Sequence, residues 1–217
     1  MPCNCHNLGL DEFFDERFAR RDAARYRQRG LPARARLLLQ LIESFIDVRG
    51  RRSLEGGAGA GGFTVELARR GVAHAHAVDA MPITMSYAAR LAAEFGVAQQ
   101  THFQSADFAD PKLELAPADI VILDRVVCCY PDWRALLDNA TSRAQRVIAL
   151  SYPADNRYSR LFTRAVNAAQ SLLRRRFRLY VHPPAAMLAL LAQHGFDRVQ
   201  RRRYWIWELA VAVKGTS

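Results

Sequence analysis

The sequence predicts an α/β fold: a doubly wound, seven-stranded, mostly parallel sheet with N-terminal helices and an inserted lid helix after the fifth strand. Three observations predict it. From Arg52 to Tyr152, short apolar segments alternate with amphipathic ones, the pattern of parallel strands covered by helices. A glycine-rich turn, Gly56-Gly57-Ala58-Gly59-Ala60-Gly61-Gly62, joins the first strand to the helix after it. Two adjacent strand-like segments, 197–204 and 206–214, end the chain and predict an antiparallel pair at the sheet edge.

The elements follow in order. Residues 11–29 are polar and arginine-rich, with Phe13, Phe14, Phe18, Ala24 and Tyr26 available for burial on a helix. Gly30-Leu31-Pro32 breaks that helix. A second helix, 33–48, carries Leu37, Leu38, Leu41, Ile42 and Phe45 at helical spacing. Strands are predicted at 52–56, 73–79, 100–105, 119–123 and 146–152. Helices are predicted at 62–70, 83–95 and 132–143. A long helix follows at 156–176, and another at 184–194 opens on Pro183-Pro184 and closes at Gly195. Neither a repeat nor a low-complexity linker divides the 217 residues, so one domain is expected over 1–217.

Composition excludes some classes. Half the residues are hydrophobic and 24% are charged, a globular balance rather than a disordered one. No apolar run approaches the roughly 20 residues of a membrane helix. The start, MPCNCHNLGLDEFF, lacks the basic-then-apolar order of a signal peptide, so the expected location is cytoplasmic. Cys3, Cys5 and His6 match no common zinc spacing, and Cys128 and Cys129 read as small semi-buried residues; no metal is expected. The formal charge of +10 falls on residues 157–217, where twelve basic residues face only Asp197 and Glu208. Arginine supplies nearly all of it, and its fork suits carboxylate and phosphate partners. No nucleic-acid module accompanies it.

The glycine turn holds the chemistry. Glycines admit tight turns and close ligand approach, and the following helix N-terminus offers free N–H groups. Gly57 to Gly62 reads as GxGxxG, the dinucleotide fingerprint, a weak signal alone. The same stretch also reads Glu55-x-Gly57-x-Gly59-x-Gly61. A carboxylate at Glu55 would repel a diphosphate and suits a cation, such as the sulfonium and ammonium of S-adenosylmethionine. Asp79 ends the next strand, placed to accept from ribose hydroxyls in either ligand class. Asp107 follows the third strand, placed for an adenine amino group, with Phe108 lining the ring. Three acids after three successive strands share one sheet edge, where open α/β sheets bind ligands.

These residues resemble the class I S-adenosylmethionine-dependent methyltransferases. LEGGAGAGG looks like the family's first motif, AVDAMP the second, SADF the third and DIVILDRVVCCYPD the fourth-strand segment. A narrower resemblance, to methyltransferases near the magnesium-protoporphyrin O-methyltransferases, runs through FFDERFARRDAARYRQRGL, VVCCYPD, LSYP, FRLYVHPPAAM and GFDRV. It implies a Rossmann-like methyltransferase fold with a helical cap at 1–50, a cofactor-binding half at 51–152 and a substrate-side half at 153–217. It also implies O-methylation of a small organic acid or hydroxyl compound; the basic charge of residues 157–217 adds the expectation that the acceptor is anionic. The cofactor residues it implies are Glu55, Gly57, Gly59, Gly61, Asp79, Ala80, Met81, Asp107 and Phe108. Gly56 departs from the family pattern, which usually has a branched apolar residue there, and is expected to loosen the first strand.

Methyl transfer is an in-line displacement in which the protein aligns the acceptor and excludes water. A carboxylate acceptor needs no base, whereas a phenol or amine benefits from one. His182 and Tyr130 are the catalytic candidates, with Asp124 and Tyr152 as further candidate bases. Asp124 and Arg125 are equally cofactor residues. Arg125 is placed to pair with Asp124 or with an anionic substrate, and Tyr26 to close over the cofactor's methionine end or to pack in the core. The N-terminal helices and the 156–176 helix are expected to cover the acceptor, with Arg157, Arg160 and Arg164 steering it. Two other functions stay open: a nucleic-acid or protein methyltransferase using the basic C-terminal face, and a cofactor-binding protein that transfers nothing. No Asn-Pro-Pro-Tyr or Asp-Pro-Pro-Tyr tetrapeptide follows the fourth strand, against amino-directed base methylation.

Overall fold

A computed structural model describes residues 8–215, so Cys3, Cys5 and His6 lie outside the described residues. The chain begins with helices α1 (Leu10–Phe13), α2 (Glu16–Arg29) and α3 (Ala33–Glu43). Strand and helix then alternate through β1 (Arg52–Gly56), α4 (Gly62–Arg69), β2 (His74–Asp79), α5 (Pro82–Glu94), β3 (Thr101–Ser105), β4 (Ala118–Asp124), α6 (Trp133–Arg143) and β5 (Ala144–Pro153). Helices α7 (Arg157–Leu172) and α8 (Pro184–Gln193) and strands β6 (Arg198–Tyr204) and β7 (Trp207–Val213) complete the fold.

The seven strands form one sheet in the order β3-β2-β1-β4-β5-β7-β6. β1 to β5 run parallel, and β7 pairs antiparallel with both β5 and β6. β1 lies between β2 and β4, so the winding reverses at its carboxyl end, which opens a crevice there. Side chains alternate across β4. Val121 and Leu123 join the core on one face of the sheet, and Ile120 and Ile122 the core on the other.

Three helices differ from the sequence pattern. The one expected at 33–48 ends at Glu43, and the chain turns at residues 44 and 45. The expected helix at 11–29 is divided at Phe14, because the Asp15 carboxylate accepts from the Phe18 N–H at 2.8 Å and starts a new helix. The expected helix at 156–176 ends at Leu172. Arg174 turns into the left-handed region at φ +55, and the following segment folds back toward α1, where Glu12 accepts from the Arg176 backbone N–H at 2.7 Å.

Candidate active site

The carboxyl ends of β1, β2 and β4 face a cavity of about 330 Å³. Its walls include Glu55, Gly57, Gly59, Asp79, Ala80, Met81, Asp124, Arg125 and Tyr130. Aromatic residues of α1, α2 and the segment after α7 close the other side.

β1 delivers Glu55 into the interior, where the Thr64 hydroxyl donates to it at 2.5 Å. Burial pushes the Glu55 pKa up to about 8, and the charge of nearby Asp124 adds to the shift. A buried carboxyl so placed is relieved by a cation. Gly59 has φ +56, and a Cβ there would meet nothing closer than Asp22 Oδ2 at 3.5 Å. The loop backbone is thus bare toward the cavity. Gly61 is a packing position instead. It precedes α4 and lies so close to α5 that a Cβ would come within 2.6 Å of Ala88.

At Gly56 the structure explains the departure from the family pattern. A Cβ there would stand 2.7 Å from the Phe108 ring and 2.8 Å from Leu123. Phe108 fills the space a branched side chain would occupy, so the first strand is packed there rather than loosened. Phe108 therefore lies behind the strand, and neither it nor Asp107 is on the cavity wall. Asp107 Oδ1 accepts from the Tyr130 hydroxyl at 2.8 Å and the Ala109 N–H at 3.0 Å.

Asp79 ties the glycine loop to the end of β2. Its Oδ2 accepts from the Gly59 N–H at 2.8 Å, and its Oδ1 from the Met81 N–H at 2.9 Å and the Thr84 hydroxyl at 3.0 Å. Burial raises its pKa, while these three donors act in the opposite direction. Tyr26 reaches the cavity wall, but its hydroxyl donates to Glu66 at 2.9 Å and its ring packs on Gly62 and Phe95.

Asp124 has a partner that the sequence did not suggest. Arg34, from the first turn of α3, grips it with two nitrogens and also donates to the Ser151 hydroxyl at 2.8 Å. Burial alone would raise the Asp124 pKa; the Arg34 charge and hydrogen bonds more than offset this and hold it low. The Arg34 guanidinium also lies 5.5 Å from the Trp207 ring centroid. The pair offered to Arg125 is thus taken. Arg125 sits at φ +62, with its N–H held by the Ser151 carbonyl at 3.2 Å and hydroxyl at 2.9 Å. Its Nε is buried without a hydrogen-bond partner among the described residues.

The proposed bases are placed elsewhere or already engaged. His182 is off the cavity wall; its Nε2 lies 2.9 Å from the Tyr130 carbonyl, its ring stacks on Tyr180, and burial lowers its pKa. Tyr152 donates to Glu208 at 3.0 Å, away from the cavity. Tyr130 lines the cavity, but burial and its donation to Asp107 push its pKa well up. Arg157, Arg160 and Arg164 are not on the wall either; the guanidiniums there are Arg25, Arg34 and Arg125. Arg34 was legible only as an arginine aligned with Leu38 and Leu41 in an apolar stripe. Among the described residues, no group of three or more His, Cys, Asp or Glu could hold a metal.

The Glu55 shift has a measurable sign. Without a ligand, a carboxyl with a raised pKa favours the folded state below the ordinary value of 4.5, and this contribution is lost as pH rises through about 8. A cation bound beside it expels the proton. S-adenosylmethionine affinity is therefore expected to rise up to about tenfold per pH unit below 8 and level off above. Glu55→Gln is expected to flatten that profile in isothermal titration, and an unchanged slope would refute the assignment.

Residues 54–146 match the family model of the methyltransferase domain. No curated protein matches the sequence significantly. Among solved structures, the magnesium protoporphyrin IX methyltransferase of Synechocystis PCC 6803 with bound S-adenosylhomocysteine is similar at TM-score 0.65 and 20% identity, covering 82% of this chain and 80% of that one. Human N-acetylserotonin methyltransferase in complex with S-adenosylmethionine gives 0.68 and 21%, covering 98% and 60%. An O-methyltransferase family protein from Burkholderia thailandensis gives 0.63 and 18%, covering 85% and 58%. Residues 54–146 thus match a methyltransferase domain, and the chain as a whole has the fold of these solved methyltransferases.

Proposed function

We propose that the protein methylates a carboxylate oxygen of a small, largely apolar organic acid. The carrying observation is how the titratable groups of the cavity are paired. Asp124 is held low by Arg34, the Tyr130 proton is committed to Asp107, and His182 lies off the wall. A hydroxyl or amine acceptor sheds a proton and benefits from a base, whereas a carboxylate does not. Arg125 brings a guanidinium with an unpartnered Nε to the same wall, suited to orienting a carboxylate. Phe13, Phe14, Phe18, Phe177 and Trp207 supply apolar surface opposite. The neighbour described as an O-methyltransferase family protein supports transfer to oxygen.

S-adenosylmethionine supplies an electrophilic methyl group on a sulfonium. In this chain Glu55 would hold its ammonium end, the bare backbone at Gly59 would admit it, Asp79 would accept from the ribose, and Ala80 and Met81 would flank the adenine. The phenylalanines of α1 and α2 exclude water, and Arg125 fixes the acceptor's orientation. Both effects lower the barrier without a proton transfer.

A screen of aromatic and aliphatic acids against their alcohol and amine counterparts, with mass detection, tests this. Alkali-labile methyl esters are the expected products; transfer confined to hydroxyls or amines would overturn it. Arg125→Gln is expected to raise the KM for the acid about tenfold and leave cofactor affinity unchanged. An unaltered KM would remove Arg125 from acceptor binding.

A further inference from the structure

Helix α7 is turned inside out. Its inward face carries the buried polar residues Ser159, Thr163 and Gln170. The Ser159 hydroxyl donates to the Ile206 carbonyl at 3.2 Å, and the Asn167 amide to the Leu179 carbonyl at 2.9 Å. Its solvent face carries Tyr158, Leu161, Phe162 and Leu172, exposed by 63, 67, 49 and 86%. Their spacing makes one stripe along the helix. Trp205, 89% exposed at the β6–β7 turn, stands at the same end, since its neighbour Ile206 is bonded to Ser159. Apolar surface gathered in this way marks an interaction site.

Charge identifies what the stripe meets. Arg157, Arg160 and Arg164 run along one flank of the stripe, and Arg174 and Arg175 follow its end, all exposed. No acidic residue occurs between Asp155 and Asp197, and Asp155 is bound to Arg160. A second copy docking here would bring arginine against arginine, at an electrostatic cost. An anionic bilayer receives both parts: apolar side chains at the acyl boundary and guanidiniums among the headgroups.

We propose that α7 and the β6–β7 turn dock on the surface of an anionic lipid bilayer. Phe162 belongs both to the stripe and to the cavity wall, so the docked face adjoins the cavity. The proposal does not depend on the identity of the acceptor.

The full chain is to be sedimented with vesicles of phosphatidylcholine alone and with vesicles containing about one third phosphatidylglycerol. Pelleting with the anionic vesicles only, weakened by salt, with a blue shift of tryptophan emission, is the expected result. Leu161→Gln with Leu172→Gln should reduce binding at least about tenfold without changing the melting temperature, because both side chains face solvent. Trp205→Gln should abolish the emission shift. Three results would each overturn the proposal: equal behaviour with both vesicles, a dimer that the double variant dissolves, or saturable binding of an acidic protein or nucleic acid that the double variant abolishes.

Discussion

Replacing Arg34 by alanine is expected to remove about 3–5 kcal/mol of folding stability. Both partners of the Arg34–Asp124 pair are nearly closed to water, at 7% and 12% side-chain exposure. Desolvating the two charges has already cost free energy, which their contact, the Ser151 hydroxyl and the nearby Arg125 charge offset. Truncating Arg34 leaves the Asp124 carboxylate buried with the charge that its ion pair had offset now unpaired. Urea denaturation reads the loss directly, and a change under about 1 kcal/mol would show that water reaches Asp124. Arg34→Met combined with Asp124→Leu should recover most of the loss, since an apolar pair of similar volume avoids the desolvation. The sign with pH is fixed as well. Asp124 is held below the ordinary carboxylate value, so its contribution is present above that value and disappears as pH falls through the lowered one.

Gly59→Val is expected to abolish S-adenosylmethionine binding, weakening it by about 100-fold or more. Two effects combine. A branched residue at φ +56 is strained by about 1–2 kcal/mol. Its side chain also projects into the one part of the glycine loop that faces open space, beside Asp22. The loop lies at the carboxyl edge of the sheet rather than in either core, so the variant should fold with a nearly unchanged near-ultraviolet spectrum. Calorimetry showing retained cofactor affinity would separate Gly59 from the ligand's path.

The sheet was legible because each strand carries its own signal. Ile120 to Leu123 is continuously apolar, as a strand buried on both faces must be, and Gly56 to Gly62 marks the turn that aims a helix at the crevice. The Asp15 cap was also written locally, yet the run of helix-forming residues around it concealed the break. What stayed hidden is long-range or directional. Arg34 meets Asp124 across 90 positions, and nothing local marks that distance. The stripe of α7 shows period but not which face is inward, and the usual assumption, apolar inside, fails there. Likewise the hydrogen bond between Tyr130 and Asp107 joins positions 23 residues apart, and nothing local announces it.

β6 forms one open margin of the sheet, with almost every residue exposed. An unpaired strand is a template on which another chain can add, and aggregation begins at such margins. Arg201, Arg202 and Arg203 occupy successive positions on it, so charge projects from both faces of the strand. Any strand arriving from another molecule would have to desolvate guanidiniums on either side. Part of the arginine excess in this chain thus guards the colloidal state of the protein, independently of any ligand.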